Sequence, residues 1–355
     1  MKAWIAFLLN IIIGSSLFIS AYGAVKRPPQ FIVLAFDNCT ELSRWQELSN
    51  FLHEMNQSGD HIHFTFFISG TNFLTDANKN LYQGPGHKPG DAEIPFGGSA
   101  EDVKRRIDFM NKLYYSGNEF GAHAVGHFDG TQWSTADWAQ EFNSYRDLFT
   151  NMAKNNGFPE TVKWVYPLSE IVGFRAPYLG ESSALYPVLR NNHFRYDASG
   201  ISNADAWPEK KDGLWHFDLV RLKVAGSGKN TLSMDYNFMI AQSGVNPDPK
   251  NQNLYRQQMF QTYINYFLSN YTGNRAPIRI GHHFTDFQGG VYNQALLAFA
   301  RRVCHLPEVR CITFTKLADF MDQLNPTTLK AYQKGDFSHA TKPAINLTDP
   351  FVSGG

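Results

Sequence analysis

The chain has 355 residues, 43% of them hydrophobic and 18% charged, and its 32 basic and 32 acidic side chains leave no formal net charge at pH 7. This composition is typical of a folded protein with a sizeable core and excludes a disordered or fibrous chain. The balanced charge argues against a nucleic-acid-binding protein, which usually carries a basic excess.

The beginning of the chain resembles an export signal. Lys2 supplies a positive charge, an apolar stretch follows over residues 4–19, and small residues stand at positions 21 and 23. This order is typical of a signal peptide, so we expect residues 1–23 to be removed and the mature protein to be periplasmic or secreted. An uncleaved membrane anchor is the alternative, although the stretch is near the short end for a span. No later stretch predicts a membrane helix.

Strands and helices are predicted to alternate along the rest of the chain. Apolar runs predict strands at 31–36, 63–69, 172–177, 193–197, 278–284 and 311–314, with a further short strand before His123. Helical spacing of apolar residues predicts helices that include 42–55, 99–113, 142–152, 254–268, 295–303 and 316–324. Residues 75–98 are rich in Gly and Pro and predict a long loop.

This alternation favours an α/β fold with a parallel sheet or a (β/α) barrel. We expect one catalytic domain over residues 28–325 and a polar C-terminal tail over residues 326–355. An exported protein can hold disulfides, and Cys304 and Cys311, seven residues apart, are the expected pair. Cys39 is left over.

Polar side chains follow five of the predicted strands. They are Asp37 and Asn38, His123 and His127, Arg175 and Tyr178, Asp197, and finally His282 and His283. In a barrel of parallel strands these positions meet at one rim, where barrel enzymes build their active sites. Two histidines four residues apart can bind Zn²⁺ with a third ligand and leave a position open for water. Each group is weak evidence alone, because such a histidine pair also occurs by chance and an Asp after a strand is often a helix cap.

Five motifs stand in a fixed order along the chain: AFDNC at 35–39, HAVGH at 123–127, RAPY at 175–178, YDASG at 196–200 with Trp215, and IGHHF at 280–284. Together they resemble the motifs of the polysaccharide deacetylases, the NodB-type carbohydrate esterases of family 4. Members of that family remove acetyl groups from N-acetylglucosamine in chitin or peptidoglycan. The resemblance covers about residues 31–324 and implies a distorted (β/α) barrel that deacetylates a cell-wall polysaccharide, with peptidoglycan favoured over chitin.

The resemblance also implies how a metal and a base would be arranged. Asn38, His123 and His127 would hold a divalent metal, with Zn²⁺ expected first and Co²⁺ as the alternative. Asp37 would be the general base that takes a proton from the attacking water. Arg175 would orient this base.

The remaining roles concern the acid and the substrate. The peptide N–H at Tyr178 would help to bind the oxyanion, and Asp197 would orient the imidazole that protonates the leaving amine. His283 is the preferred acid because of its distance from the RAP sequence at 275–277, whereas His282 fits a shorter form of the motif. Tyr178, His282 and Trp215 are expected to contact substrate, Trp215 by lining the acetyl pocket.

Asn38 departs from the family pattern, which has Asp at this position. A neutral amide oxygen stabilises a dication less than a carboxylate does, so we expect weaker metal binding, although the bound ion would be a stronger Lewis acid. A carbohydrate-binding protein that has lost catalysis with this ligand is therefore the alternative. A glycosidase using carboxylates such as Asp37, Asp129 and Asp197 is a third option, which the motifs do not favour.

Overall fold

A computed structural model describes residues 25–59 and 61–343. The expected signal peptide over residues 1–23 lies outside these residues. Within the described ranges, no helix has both the length and the apolar character needed to cross a membrane.

Twelve strands, ten α-helices and five short 3-10 helices make up this described part of the chain. The strands are β1 (Gln30–Asp37), β2 (Thr65–Ile68), β3 (Glu119–Ala122), β4 (Gly173–Phe174), β5 (Tyr196–Asp197), β6 (Ile201–Asn203), β7 (Glu209–Lys211), β8 (Leu214–His216), β9 (Leu219–Lys223), β10 (Asn230–Leu232), β11 (Ile278–His283) and β12 (Val309–Cys311). The helices are α1 (Leu42–Gln57), α2 (Ala100–Tyr115), α3 (Thr135–Thr150), α4 (Met152–Asn156), α5 (Leu185–Asn191), α6 (Asp235–Ser243), α7 (Gln252–Thr272), α8 (Val291–Val303), α9 (Phe314–Asp322) and α10 (Pro326–Lys334).

The main sheet of the described chain is curled and rich in parallel pairs. Its strand order is β11-β1-β2-β3-β4-β5-β8-β7, and β12 pairs with the beginning of β1. Neighbouring strands run parallel except for β7 and β8, which are antiparallel. The path of hydrogen-bonded strands ends at β7 on one side and at β11 on the other, so the sheet forms a half-barrel. The predicted α/β fold of the distorted (β/α) barrel type is confirmed.

Strand β1 is apolar along its length because both of its faces are covered. Ile32 and Leu34 pack in the larger core cluster, which includes residues of helices α1, α2, α3, α7 and α8. Phe31 and Val33 point to the opposite face and pack in a second cluster with residues of α9. This strand, buried on both faces, lies between β11 and β2 and places its last residue, Asp37, at the rim.

The C-terminal part of the described chain differs from the sequence expectation in two places. The strand predicted over 311–314 ends at Cys311, because the side chain of Thr313 caps the next helix by accepting a hydrogen bond from the Lys316 N–H. Within the segment expected to be a polar tail, α10 forms and buries Tyr332 against the second cluster. The predicted disulfide between Cys304 and Cys311 is confirmed.

A region that sequence periodicity did not resolve lies between β5 and α7. Strands β6, β9 and β10 form a separate three-stranded sheet there, and α6 follows it. The Gly281 N–H of β11 donates to the Ser233 carbonyl at 2.9 Å, and Met234 forms a bridge with the same residue. These contacts attach the start of α6 to the end of β11 and so place Asp235 at the rim.

Candidate active site

A cavity of about 370 Å³ opens at the carboxyl ends of the parallel strands. Six predicted site residues line it: Asp37, Asn38, His123, His127, Tyr178 and His283. Six residues that the sequence did not single out complete the lining: Ala176, Leu179, Met234, Tyr236, Asn237 and Phe287. The cavity lies at the end of the sheet where barrel enzymes place their active sites.

The base candidate is held by a buried ion pair. Asp37 is 2% exposed, and its Oδ1 accepts a hydrogen bond from Nη1 of Arg175 at 2.8 Å. Arg175 is fully buried, its Nε donates to the Ala198 carbonyl at 3.1 Å, and its guanidinium lies 4.5 Å from the centre of the Phe67 ring. These contacts fix the guanidinium, and through it one oxygen of the Asp37 carboxylate.

The chain turns sharply where β1 ends. Asn38 and Cys39 both have positive φ angles, 68° and 42°, a conformation that Asn tolerates better than most residues. Oδ1 of Asn38 is buried and has no hydrogen-bond partner among the described residues. The thiol of Cys39 instead lies in the core near the carbonyls of Phe36 and Phe67, and Cys39 does not line the cavity.

Two histidine side chains converge on the same cavity from the loop after β3. The Nδ1–H of His123 donates to the Arg175 carbonyl at 2.7 Å, because a carbonyl can only accept. That tautomer leaves Nε2 with a lone pair, and this atom is buried without a partner in the described chain. The ring of His127 lies 5.1 Å from the ring of His123, and its Nδ1 is also buried and unpartnered.

These three side chains fit a divalent metal by their chemistry. Within residues 25–59 and 61–343, no group of three or more His, Cys, Asp or Glu side chains could hold a metal ion. Asn38 supplies an amide oxygen in place of the missing carboxylate. Burial lowers the pKa of His123, and burial with the neighbouring His123 lowers the pKa of His127 to about 3, so both imidazoles are neutral at pH 7. Neutral imidazoles with one oxygen are a donor set that Zn²⁺ and Co²⁺ accept.

His283 faces the cavity and is held by Asp235. Its Nδ1 lies 2.7 Å from Oδ1 of Asp235, and its backbone N–H donates to Oδ2 of the same carboxylate at 2.8 Å. Burial acts to lower the pKa of His283, but the charge and hydrogen bond of Asp235 outweigh it and raise this pKa. Burial likewise acts to raise the pKa of Asp235, and the positive charge of His283 keeps it below its ordinary value.

The carboxylate that contacts this imidazole is thus Asp235 and not Asp197, the residue that was predicted to orient it. Oδ1 of Asp197 accepts a hydrogen bond from the Ser199 hydroxyl at 2.6 Å, and that hydroxyl accepts one from the Ala176 N–H at 2.8 Å. Asp197 does not line the cavity, and burial raises its pKa to about 8. The sequence missed Asp235, whose one signal is that it follows a strand, β10, as the other site residues do.

Two further residues that were predicted to contact substrate, His282 and Trp215, do not line the cavity. His282 is fully buried on the face of β11 opposite to His283, where its Nε2 lies 3.0 Å from the Tyr263 hydroxyl. Successive side chains of a strand point to opposite faces, so only one of the two histidines can reach the cavity. Trp215 is also buried away from the cavity, and its Nε1–H donates to Oδ1 of Asp322 at 2.9 Å.

Tyr178 forms the exposed rim of the cavity. Its side chain is 62% exposed, and its ring lies 5.0 Å from the ring of His127. Tyr178 and Leu179 have φ angles of 57° and 56°, and the N–H groups of Leu179 and Gly180 are used inside this turn. Partial burial and a hydrogen bond with Glu93 raise the pKa of Tyr178 to about 12, so its phenol stays protonated at neutral pH.

Known proteins resemble the chain in sequence and in fold. Residues 24–196 match the family model for polysaccharide deacetylases. A crystal structure of a putative polysaccharide deacetylase from Mycobacterium smegmatis aligns with a TM-score of 0.51 and 14% identity over 85% of this chain and 97% of that one. This similarity shows the fold. No curated protein matches the chain.

Two more solved structures align less closely. The carbohydrate esterase domain of a multidomain xylanase from the hindgut metagenome of Trinervitermes trinervoides gives a TM-score of 0.43 at 15% identity, over 84% of this chain and 93% of that one. A family 4 pseudoenzyme from Bacillus anthracis gives a TM-score of 0.41 at 9% identity, over 82% of this chain and 66% of that one.

Proposed function

We propose that this chain, whose residues 24–196 match the family model for polysaccharide deacetylases, hydrolyses N-acetyl groups of N-acetylglucosamine units in an extracellular polysaccharide. Peptidoglycan is the first candidate and chitin the second. One observation carries this proposal. Asp37 and His283 are direct partners in the register of β1 and β11, and both line the cavity that also contains Asn38, His123 and His127. The proposed base and the proposed acid thus lie beside the three proposed metal ligands.

The proposed metal-binding residues are Asn38, His123 and His127. A divalent ion held by these residues would supply Lewis-acid chemistry, polarising the acetamide carbonyl and lowering the pKa of a water molecule. The chain itself supports this role through neutral, buried imidazoles and an unpartnered amide oxygen.

Asp37 is the proposed general base. Its Oδ1 is engaged by Arg175, so the proton from the attacking water would go to Oδ2. The buried ion pair keeps the carboxylate from rotating away from the cavity, and a positioned base of this kind contributes about 10²- to 10⁴-fold to the rate. Arg175 is a positioning residue for this step.

The Tyr178 backbone and His283 would stabilise the later states of the reaction. The peptide N–H of Tyr178 lies on the turn that borders the cavity and would donate to the oxyanion, where one donor is worth about 3–4 kcal/mol. The Nδ1–H of His283 donates a hydrogen bond to Asp235. The Nε2–H of the protonated imidazole is therefore the group that would give a proton to the leaving nitrogen. Without that proton the amine leaves poorly.

Acetate release tests the proposal directly. Mature protein would be incubated with N-acetylglucosamine oligomers and with purified peptidoglycan, with Zn²⁺ or Co²⁺ added and with a chelator in parallel. We expect release that the chelator abolishes, and the better substrate names the polymer. Sugar binding without release on either polymer would support the carbohydrate-binding alternative and overturn the proposal.

A further inference from the structure

The loop that carries His123 and His127 has an unusual backbone. Ala124 and His127 have φ angles of 54° and 61°, in the left-handed region that residues other than glycine rarely adopt. Each such residue costs about 1–3 kcal/mol, so surrounding contacts must hold the loop in this shape. Two backbone contacts contribute: the Gly70 N–H donates to the Ala124 carbonyl, and the Glu93 N–H donates to the Gly126 carbonyl, each at 2.9 Å.

The two N–H groups at the centre of this loop have a side-chain acceptor. Oε1 of Glu141, on α3, accepts hydrogen bonds from the Val125 N–H at 2.8 Å and from the Gly126 N–H at 3.3 Å. Successive backbone N–H groups that point to one side form a concave site that binds an acceptor such as an anion. In this loop the acceptor is the side chain of Glu141. Glu141 is fully buried.

A tyrosine from the long 75–98 loop completes the contact. The hydroxyl of Tyr82 lies 2.9 Å from Oε2 of Glu141 and accepts a hydrogen bond from the Gly126 N–H at 3.1 Å. A Cβ at Gly126 would lie 2.6 Å from that hydroxyl, so the loop and the tyrosine are in close contact. Every group that faces the Glu141 side chain in these bonds can donate a hydrogen bond, so both of its oxygens act as acceptors.

We propose that Glu141 is a positioning residue that holds the backbone between His123 and His127 and thereby sets the metal affinity of the site. The inference rests on the proposed function, because it takes these two histidines as metal ligands. A neutral ligand set makes this positioning more important, since Asn38 adds no charge to compensate for ligands that are out of place. Residues that orient metal ligands typically change affinity by about 10- to 100-fold when removed.

The chain offers a matched control for Glu141. Glu119 is also a buried glutamate, and its Oε2 accepts hydrogen bonds from the Thr65 hydroxyl at 3.0 Å and from the Thr315 N–H at 2.9 Å. It stands at the first residue of β3, whereas His123 directly follows the last one. Removing Glu119 should therefore destabilise the fold without reaching the histidine loop.

Cobalt titration of the full-length mature protein tests the inference, with the dissociation constant, the visible absorption spectrum of bound Co²⁺ and the melting temperature measured for each variant. We expect Glu141→Ala to raise the dissociation constant about 10- to 100-fold and to alter the spectrum. Glu141→Gln keeps an oxygen that can accept both N–H groups, so its dissociation constant should stay within about threefold of wild type. Glu119→Gln should lower the melting temperature and leave both cobalt readouts unchanged.

Other results would overturn the inference in distinguishable ways. Wild-type protein that binds no cobalt would remove the metal site itself, and the proposed function with it. Wild-type affinity and spectrum in folded Glu141→Ala, or equal loss of affinity in Glu119→Gln, would refute the role of Glu141 alone. If Glu141→Ala does not fold, Glu141→Asp replaces it, because the shorter side chain withdraws the carboxylate from the Val125 and Gly126 N–H groups. An unchanged dissociation constant in that variant would refute the inference.

Discussion

Oδ1 of Asp235 lies 2.7 Å from Nδ1 of His283, and Oδ2 of the same carboxylate accepts the backbone N–H of His283 at 2.8 Å. One carboxylate therefore fixes both the position of the strand end and the orientation of the imidazole. The first residue of a helix and the last residue of a strand, 48 positions apart, act as a unit.

Asp235→Asn should narrow the pH range of activity from the alkaline side. The Asp235 carboxylate raises the pKa of His283, so its loss lowers that pKa and the protonated acid disappears at a lower pH. The alkaline limb of the kcat/KM profile should move to lower pH, with kcat reduced by roughly tenfold or more. Steady-state rates from pH 5 to 10 measure this shift, and an unmoved limb would show that His283 is not the acid.

The adjacent histidines should respond differently to substitution. His283→Ala removes the proposed acid and should reduce kcat by about 10²- to 10⁴-fold with little change in stability. His282→Ala removes a core side chain that contacts Tyr263, so the melting temperature should fall while kcat of the folded fraction stays close to wild type. Steady-state kinetics and thermal melts of both variants distinguish the two histidines. The reverse pattern would assign the acid to His282.

Asn38→Asp should strengthen metal binding. Position 38 has a φ angle of 68°, which Asp tolerates about as well as Asn, so the substitution changes charge more than backbone shape. An anionic oxygen ligand should lower the dissociation constant for Zn²⁺ by about tenfold or more, equivalent to about 1.4 kcal/mol. Competitive zinc titration of both proteins measures the difference. Equal affinities would show that the side chain at position 38 is not a ligand.

Asp197→Asn should remove a pH dependence of stability. Burial raises the pKa of Asp197 to about 8 from 3.8, so between these values the folded protein holds a proton that the unfolded chain releases. Stability from this group therefore falls as pH rises through that interval, by at most about 1.4 kcal/mol per pH unit. Urea unfolding at pH 5, 7 and 9 should show a smaller decline in the free energy of unfolding for the variant than for wild type. Equal declines in the two proteins would show that the pKa of Asp197 is not raised.

The half-barrel was predictable from the sequence because strands such as β1 and β2 are buried along their whole length and are read as continuous apolar runs. The same property hid which histidine of β11 faces the cavity. Arg279 alternates with Ile278 and Ile280 and shares a face with His283, but Arg279 is itself buried and does not mark that face as the cavity side. The register with β1, which sets Asp37 opposite His283, decides it.

Asp235 was missed for a different reason. It follows β10, a strand of three residues whose side chains are partly exposed and show no apolar period. Its place at the site depends on the bridge between Met234 and Gly281, a tertiary contact that no local pattern encodes. Trp215 was predicted to line the acetyl pocket only because a tryptophan at this place in the chain resembles the family motif. In the structure, its indole instead donates a hydrogen bond to the Asp322 side chain of α9 and lies away from the cavity.

Asp37 is proposed to act as the base of a metal-dependent deacetylation. Acetate release from peptidoglycan and from N-acetylglucosamine oligomers, compared between wild type and Asp37→Asn at equal cobalt occupancy, tests it most directly. We predict release by wild type and a loss of at least about 10²-fold in the variant, with its melting temperature and sugar binding retained. Equal release by the two proteins, or no release by either, would contradict the account.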